Sequence, residues 1–258
     1  INQKTYIPDD NFESYLEAHG MGDGIPLNDS VLTSNISNVT TLGISNGISD
    51  ATGIEDFIAL TSLNFSWNVL TSLDVSQNIL LTSLNCSYNQ ISSLDISQNT
   101  ALTTLNFSVN QISSIDLSQN TLLTGLDMEY NQVDSLNLSQ NTLLTGLNCR
   151  NNQIPSLDLT QNTALNGLRC SGNSISSLDL TQNIALIFLD CEFNQLSTLD
   201  LSQNTVLICV NLRNNQLTSL DVRNGNNLNF YTYFGFSSPF NTLYNPNLTC
   251  INIDDSTY

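Results

Sequence analysis

The sequence predicts a β-rich solenoid, in which short parallel strands form one sheet, short extended segments run along the convex side, and a small helical cap closes the N-terminal end. Three observations predict it. A unit of 21 residues opens at Leu60 and recurs at Leu81, Leu102, Leu123, Leu144, Leu165, Leu186 and Leu207. A fixed period of that length marks one small supersecondary unit stacked on copies of itself. Inside each unit apolar residues stand two apart, as Leu105 and Phe107 do, and such side chains share one face of a strand. Asparagine, finally, recurs in two columns at the places where the chain must turn.

An open stack exposes apolar core at its ends and needs caps, so residues 1–38 are read as the N-terminal cap. Pro8-Asp9-Asp10 precedes a helix over Asn11–Ala18, with an Asp cap and Gly20 as its stop. Phe12, Tyr15 and Leu16 are expected to sit on the first coil. Residues 39–59 form a degenerate first repeat with Leu42 and Ile44 in the core positions. Residues 60–227 hold eight regular repeats, and Leu102-Thr-Thr-Leu-Asn-Phe-Ser-Val-Asn-Gln-Ile112 carries the leucine-rich repeat signature L-x-x-L-x-L-x-x-N-x-L.

The first asparagine column (Asn68, Asn89, Asn110 and their successors) ends each strand and is expected to hydrogen-bond backbone groups of its own and the adjoining coil. The second (Asn78, Asn99, Asn120 and onward) is expected to hold the other corner in the same way. The remaining S-S-L-D-L-S-Q-N-T segment is too short and too rich in Ser, Asp and Asn for a helix, and reads as an extended piece or turn with Leu94 and Ile96 inward. Residues 228–258 are read as C-terminal repeats and a cap. There Leu228, Tyr231 and Tyr233 keep the pattern, Leu248, Ile251 and Ile253 follow one shortened repeat later, and the aromatic run Phe230–Phe236 is expected to cover the last coil. The pattern has no clear finish before Tyr258, so the cap reads as truncated.

Five basic residues against 23 acidic ones leave a net charge of −18, which argues against nucleic acid and anionic membranes as partners. No stretch is long enough to span a bilayer, and the sequence shows no signal peptide, as is expected also where one has been removed. Cys86, Cys149, Cys170 and Cys191 take the core position held elsewhere by Phe65, Phe107, Met128 and Leu212, so they read as a ladder of small core residues. Disulfides between neighbours and metal binding are the alternatives. Cys209 and Cys250 lie off this ladder near the C-terminal cap, and Cys250 is a candidate to pair beyond Tyr258.

The repeat L-x-x-L-x-C-x-x-N-Q-I-x-x-L-D-(L/V)-S-Q-N-T resembles the 21-residue, cysteine-ladder repeats of internalin J-type bacterial surface proteins. Tyr6-Ile-Pro-Asp-Asp-Asn-Phe12 and Gly53-Ile-Glu-Asp-Phe57 are similar to the N-terminal part of secreted leucine-rich repeat modules of Gram-negative bacteria, and Asn245-Pro-Asn-Leu-Thr-Cys250-Ile-Asn-Ile-Asp-Asp255 resembles their C-terminal cap. The resemblance implies a secreted or cell-surface protein used in adhesion or ligand binding. It names no ligand and carries over no contact residue.

Function in a solenoid is read where the repeat is broken on its outward strand positions. The first repeats place bland Asn and Ser there, whereas later ones bring Asp127, Glu129, Arg150, Arg169, Asp190, Glu192 and Arg213. Three of the chain's five basic residues fall in these rows. Gly125, Gly146 and Gly167 succeed Thr104 and clear space beside the charges, while Trp67, Tyr88, Tyr130 and Phe193 share a row at the strand ends. Aromatic rings beside fixed charges suit an extracellular protein or a glycan. These eleven residues (the seven charged ones and the four aromatics) form the candidate ligand-binding set. The competing reading is a solvated face on which Glu129–Arg150 and Glu192–Arg213 merely neutralise each other, at about 0–1 kcal/mol per pair.

A column of aspartates (Asp74, Asp95, Asp116, Asp158, Asp179, Asp200, Asp221) is expected to be held by Asx-turns, with calcium as the alternative; Gly22-Asp23-Gly24 is a weak calcium-loop hint, and no cofactor or metal is otherwise expected. Asp127 and Glu129 stand roughly 7 Å apart, in the range of paired glycosidase carboxylates, yet nothing encloses a substrate and the chain reads as a non-enzyme. Its sole histidine, His19, reads as a helix-end residue. The alternative to ligand recognition is a structural spacer or surface-layer adhesin, including an ice-binding threonine array over Thr61, Thr82, Thr103, Thr124 and Thr145.

Overall fold

The computed structural model describes residues 3–226 and 239–254. The chain divides into two compact units, 1–123 and 124–258. The readings of Leu228, Tyr231, Tyr233 and Phe230–Phe236 lie outside the described residues.

In the first unit β1 (Lys4–Tyr6) pairs antiparallel with β2 (Ser30–Leu32), around α1 (Asp10–Ala18). The helix starts where expected because Asp9 caps it: Oδ1 accepts the Asn11 and Phe12 N–H groups at 3.0 Å. Its Oδ2 accepts Ser49 N–H and hydroxyl at 2.8 Å, tying the helix start to the first coil. These donors outweigh burial and hold the Asp9 carboxyl below its ordinary value. Phe12 and Leu16 are buried, with Phe12 edge-on to Phe65 at 5.7 Å. Tyr15 is half-buried and its ring stacks on His19 at 3.9 Å, while His19 Nδ1 donates to Tyr15 O, which fits a helix-end role for the histidine. Glu13 is fully buried, and its two oxygens accept the Asn28 and Asp29 N–H groups at 2.9 and 3.0 Å.

A short α2 (Thr33–Ile36) leads into β3 (Thr41–Gly43), β4 (Ser62–Asn64), β5 (Ser83–Asn85) and β6 (Thr104–Asn106). They pair in parallel, with Leu42, Leu63, Leu84 and Leu105 in one register row. That row is buried together with Ile44, Phe65, Cys86 and Phe107, so the two-residue alternation builds the core.

The second unit repeats the plan through β7 (Gly125–Asp127), β8 (Gly146–Asn148), β9 (Gly167–Arg169) and β10 (Phe188–Asp190). Here the return segments also become strands. β11 (Thr198–Asp200) follows β10, β12 (Cys209–Asn211) rejoins the main row, and β13 (Ser219–Asp221) pairs parallel with β11. The last coil is enlarged, not shortened. β14 (Phe240–Asn241) pairs with β12 by Val210↔Phe240, and β15 (Cys250–Asn252) pairs with β13 by Leu220↔Ile251. Leu248, Ile251 and Ile253 therefore belong to the return side, and Asn245 takes the corner, donating to Leu212 O at 2.9 Å.

The two asparagine columns do different work. Asn89 donates to Phe65 O and Cys86 O at 2.9 and 3.1 Å, and its Oδ1 accepts Leu70 N–H at 3.0 Å. Asn99 donates to Val75 O and Asn78 O, but its Oδ1 has no hydrogen-bond partner, and the same holds for Asn78, Asn162, Asn183 and Asn204. At that corner the N–H groups within reach already close backbone turns, Asn99 N to Ile96 O and Leu102 N to Asn99 O.

Candidate functional site

The strands are only three residues long, and the chain turns immediately after them. The fourth residue past each core leucine takes a left-handed backbone: Trp67, Tyr88, Val109, Tyr130, Asn151, Gly172, Phe193 and Asn214 have φ between 51° and 68°. This bend keeps the stacking ladder going, since Trp67 N–H still reaches Ser87 O at 3.0 Å and Tyr130 N–H reaches Arg150 O at 3.0 Å. It also throws the side chain outward. Such a bend suits Gly and Asn, whereas bulky residues there are outliers. Each bulky one costs on the order of 1 kcal/mol.

One consequence corrects the outward assignment of the preceding row. Ser66, Ser87, Ser108 and Ser171 are buried, because the turn folds them under. Ser87 donates back to Asn85 Oδ1 at 2.7 Å. Larger side chains in that row, Glu129, Arg150, Glu192 and Arg213, extend out and are half-buried.

On the second unit the face has register rows Gly125, Gly146, Gly167, Phe188, Cys209 and Asp127, Asn148, Arg169, Asp190, Asn211. Glu129 Oε2 accepts the Asn148 amide at 2.7 Å, and Glu129 Oε1 lies 3.9 Å from Arg150. Arg150 Nε donates to Ser171 Oγ at 2.8 Å and stands 3.8 Å from Asp190. Arg213 Nη1 donates to Glu192 at 2.8 Å, with its guanidinium 5.9 Å from the Phe193 ring and 4.7 Å from the Tyr244 ring. Both expected ion pairs form.

Asp190 is an exception to the expected exposure. It retains 3% of its surface, so it supports the face instead of offering a free contact. Asn211 donates to it at 3.1 Å. Burial pushes its carboxyl up, against the Glu192 N–H bond and Arg150, which pull it down. Burial likewise raises Asp127, and the charge of Glu129 adds to the effect.

Trp67 and Tyr88 stand in the first unit. Their rings stack at 3.8 Å with a 9° interplanar angle, and Trp67 is 63% exposed. Tyr130 and Phe193 are exposed singly at the same turn. Two residues escaped the sequence reading, Phe188 under Arg169 and Tyr244 beside Arg213. Phe188 was visible as the break in a glycine row. Tyr244 was hidden by the enlarged last coil.

The remaining candidates are absorbed by structure. Asp74, Asp95 and Asp116 in the first unit, and Asp158, Asp179 and Asp200 in the second, each accept the N–H two residues on at 2.8 to 3.0 Å. These Asx-turns hold Asp74, Asp95, Asp116, Asp158 and Asp179 below the usual carboxylate range. Asp23 is bound by Lys4 at 2.6 Å and by Asn28, which hold it at about 2. Oxygens of Asp10, Glu13 and Asp29 converge within 4.8 Å, but both Glu13 oxygens are engaged by backbone N–H groups. The ladder cysteines are buried, and desolvation pushes the Cys86 thiol up to about 12, which leaves it inert. Cys209, off the ladder, lies buried in β12, opposite Phe188. The Thr61 and Thr82 hydroxyls donate to the carbonyls of Thr40 and Thr61, so each ties its coil to the preceding one.

No protein-family model and no curated protein sequence matches the chain. Solved structures do. The fold and its ladders define a leucine-rich repeat solenoid with few helices, and its neighbours are internalin-like. The functional domain of internalin J from Listeria monocytogenes, which includes a cysteine ladder, aligns over 98% of this chain and 62% of its own at 29% identity and a TM-score of 0.60. Internalin C2 from the same organism aligns over 81% of this chain and 97% of its own at 25% identity and a TM-score of 0.72. A leucine-rich repeat protein of Leptospira interrogans shares the fold, with a TM-score of 0.68 and 22% identity over 84% of this chain and 55% of its own. The chain thus spans less than two thirds of two of these neighbours. No helix among the described residues is long and apolar enough to cross a membrane.

Proposed function

We propose that this chain is a non-enzymatic recognition module of a secreted or surface-attached bacterial protein, and that it binds a protein partner through the charged strand face of its second unit. The observation that carries this reading is Arg169. Acids outnumber bases 23 to five, and Lys4, Arg150, Arg213 and Arg223 each face a carboxylate. Arg169 alone forms no ion pair and no side-chain hydrogen bond among the described residues; it rests over Phe188. A guanidinium keeps five donors in a fixed fork, suited to a carboxylate. Gly146, beside it, has open space above its backbone, which lets a partner approach.

The half-buried Asp127, Glu129 and Glu192, with Asp190, set negative charge on either side of Arg169, so a partner with an acidic group among basic ones is complementary. Catalysis has less support, since these carboxylates are engaged by Asn148, Arg150, Asn211 and Arg213. The test is an array of purified extracellular proteins probed with wild type and with Arg169→Gln. A protein bound by wild type and lost by the variant, at unchanged Tm, is the expected result. A variant that binds as wild type does, or a blank array, overturns the reading.

A further inference from the structure

The first unit presents a face of different chemistry. Its strand rows over residues 41–46, 62–67, 83–88 and 104–109 carry no Asp, Glu, Lys, Arg or His. In place of charge they carry amides and rings. Asn64 and Asn85 are register partners in β4 and β5, so their side chains stand about 4.8 Å apart. Each Oδ1 is pinned by an Asx-turn, accepting Ser66 N–H and Ser87 N–H at 3.0 Å. The free end of each amide is therefore the nitrogen, and neither nitrogen donates to any group among the described residues. Beside these donors lies the Trp67–Tyr88 stack, held on left-handed backbone at φ 60° and 55°. The same row accommodates Gly172, Asn151 and Asn214 without that strain.

From this juxtaposition we infer that the first unit holds a second binding site, for a neutral glycan, with Trp67 and Tyr88 as the platform and Asn64 and Asn85 as donors to sugar hydroxyls. An aromatic face is electron-rich and attracts the C–H-lined face of a pyranose; the stack covers one face of each ring, so the sugar takes the opposite one, and the more exposed Trp67 offers the larger area. A row of N–H donors at strand spacing matches hydroxyl oxygens along a sugar chain. The absence of charge disfavours sulfated or uronic sugars, which the net charge of −18 repels. This site is separate from the charged face of the second unit and stands or falls independently of it.

Trp67 is the chain's single tryptophan, so intrinsic fluorescence reports this site directly. The protein is titrated with neutral gluco-, manno- and chito-oligosaccharides of two to six sugars, up to about 10 mM. A saturable change in Trp67 emission with at least one series is expected. Calorimetry should show that binding lost in Trp67→Asn, weakened about tenfold in Tyr88→Ala and retained in Arg169→Gln. Asn suits the left-handed backbone, as Asn151 and Asn214 show, so Trp67→Asn keeps the fold, which its Tm checks. No saturable change with any series, or undiminished binding by Trp67→Asn, overturns the inference.

Discussion

The Arg169 guanidinium lies 5.1 Å from the centroid of the Phe188 ring and forms no ion pair among the described residues, although its charge pulls the Asp127 carboxyl down. Phe188 interrupts the glycines at the start of β7, β8 and β9, so a single bulky substitution in the row positions the one arginine without an ion-pair partner among the described residues.

A residue held for a ligand contributes little to stability. Arg169→Gln should change the free energy of unfolding by no more than about 1 kcal/mol, the scale of one exposed cation–π contact. Arg213→Gln, which removes the bond to Glu192 and two ring contacts, should lower Tm further. Thermal unfolding of the two variants checks the order. A larger loss at Arg169 would show that it supports the fold and would remove the argument for a reserved donor.

The legible part of this structure is the part set by periodicity. Leu63, Leu84 and Leu105, and the Cys86 and Cys170 positions, follow from a two-residue alternation inside a 21-residue period. The pairing of Lys4–Tyr6 with Ser30–Leu32 does not, because each segment is three residues long and lacks a repeat to align it. The left-handed turn was half-visible in a column mixing Gly172, Asn151 and Asn214 with aromatics, but the aromatics argue against that backbone on sterics alone. The burial of Asp190 was not readable, since Arg150 reaches it from β8, two strands away, while the pairing argument considers neighbours only. The enlarged last coil was misread because Leu248, Ile251 and Ile253 keep the apolar spacing on the return side.

Asp190 gives a pH dependence with a definite sign. Burial raises its carboxyl above the ordinary value of 3.8, so the folded state favours the protonated form. Stability from this group is greatest below pH 3.8 and falls as pH rises through 3.8 toward the raised value. Asp190→Asn keeps an oxygen for Asn211 and Glu192 N–H and removes the buried charge. The variant should therefore have the higher Tm at pH 7, and the gap should close as pH drops below 4. A variant less stable at pH 7 would mean that Arg150 outweighs desolvation.

Val109 tests the strain of the turn row. It is β-branched, half-buried and at φ 55°. Val109→Asn should stabilise the protein by about 0.5–1 kcal/mol, because Asn tolerates the left-handed region. The urea midpoint measures it. A loss would show that Val109 packing exceeds the backbone cost, and would weaken the argument that bulky residues in this row are kept for reasons other than stability.

The asparagine columns separate two kinds of corner. Asn89→Ala orphans the Leu70 N–H, while the Phe65 and Cys86 carbonyls keep the Asn68 and Asn110 amides as donors. Asn99→Ala removes one of two donors from Val75 O and from Asn78 O, which keep the Asn78 and Leu81 N–H groups, and removes an amide oxygen that had no partner, so it orphans no group. At about 1–3 kcal/mol for each group left unsatisfied in the interior, the strand-end substitution should be the more destabilising by at least about 1 kcal/mol. The Leu70 N–H carries the difference, since each carbonyl keeps another donor while an N–H has one proton to place. Equal losses in parallel urea unfolding would show that the Oδ1 bond to Leu70 contributes nothing. The strand-end column would then be fixed by its amide nitrogens alone, as the second column is.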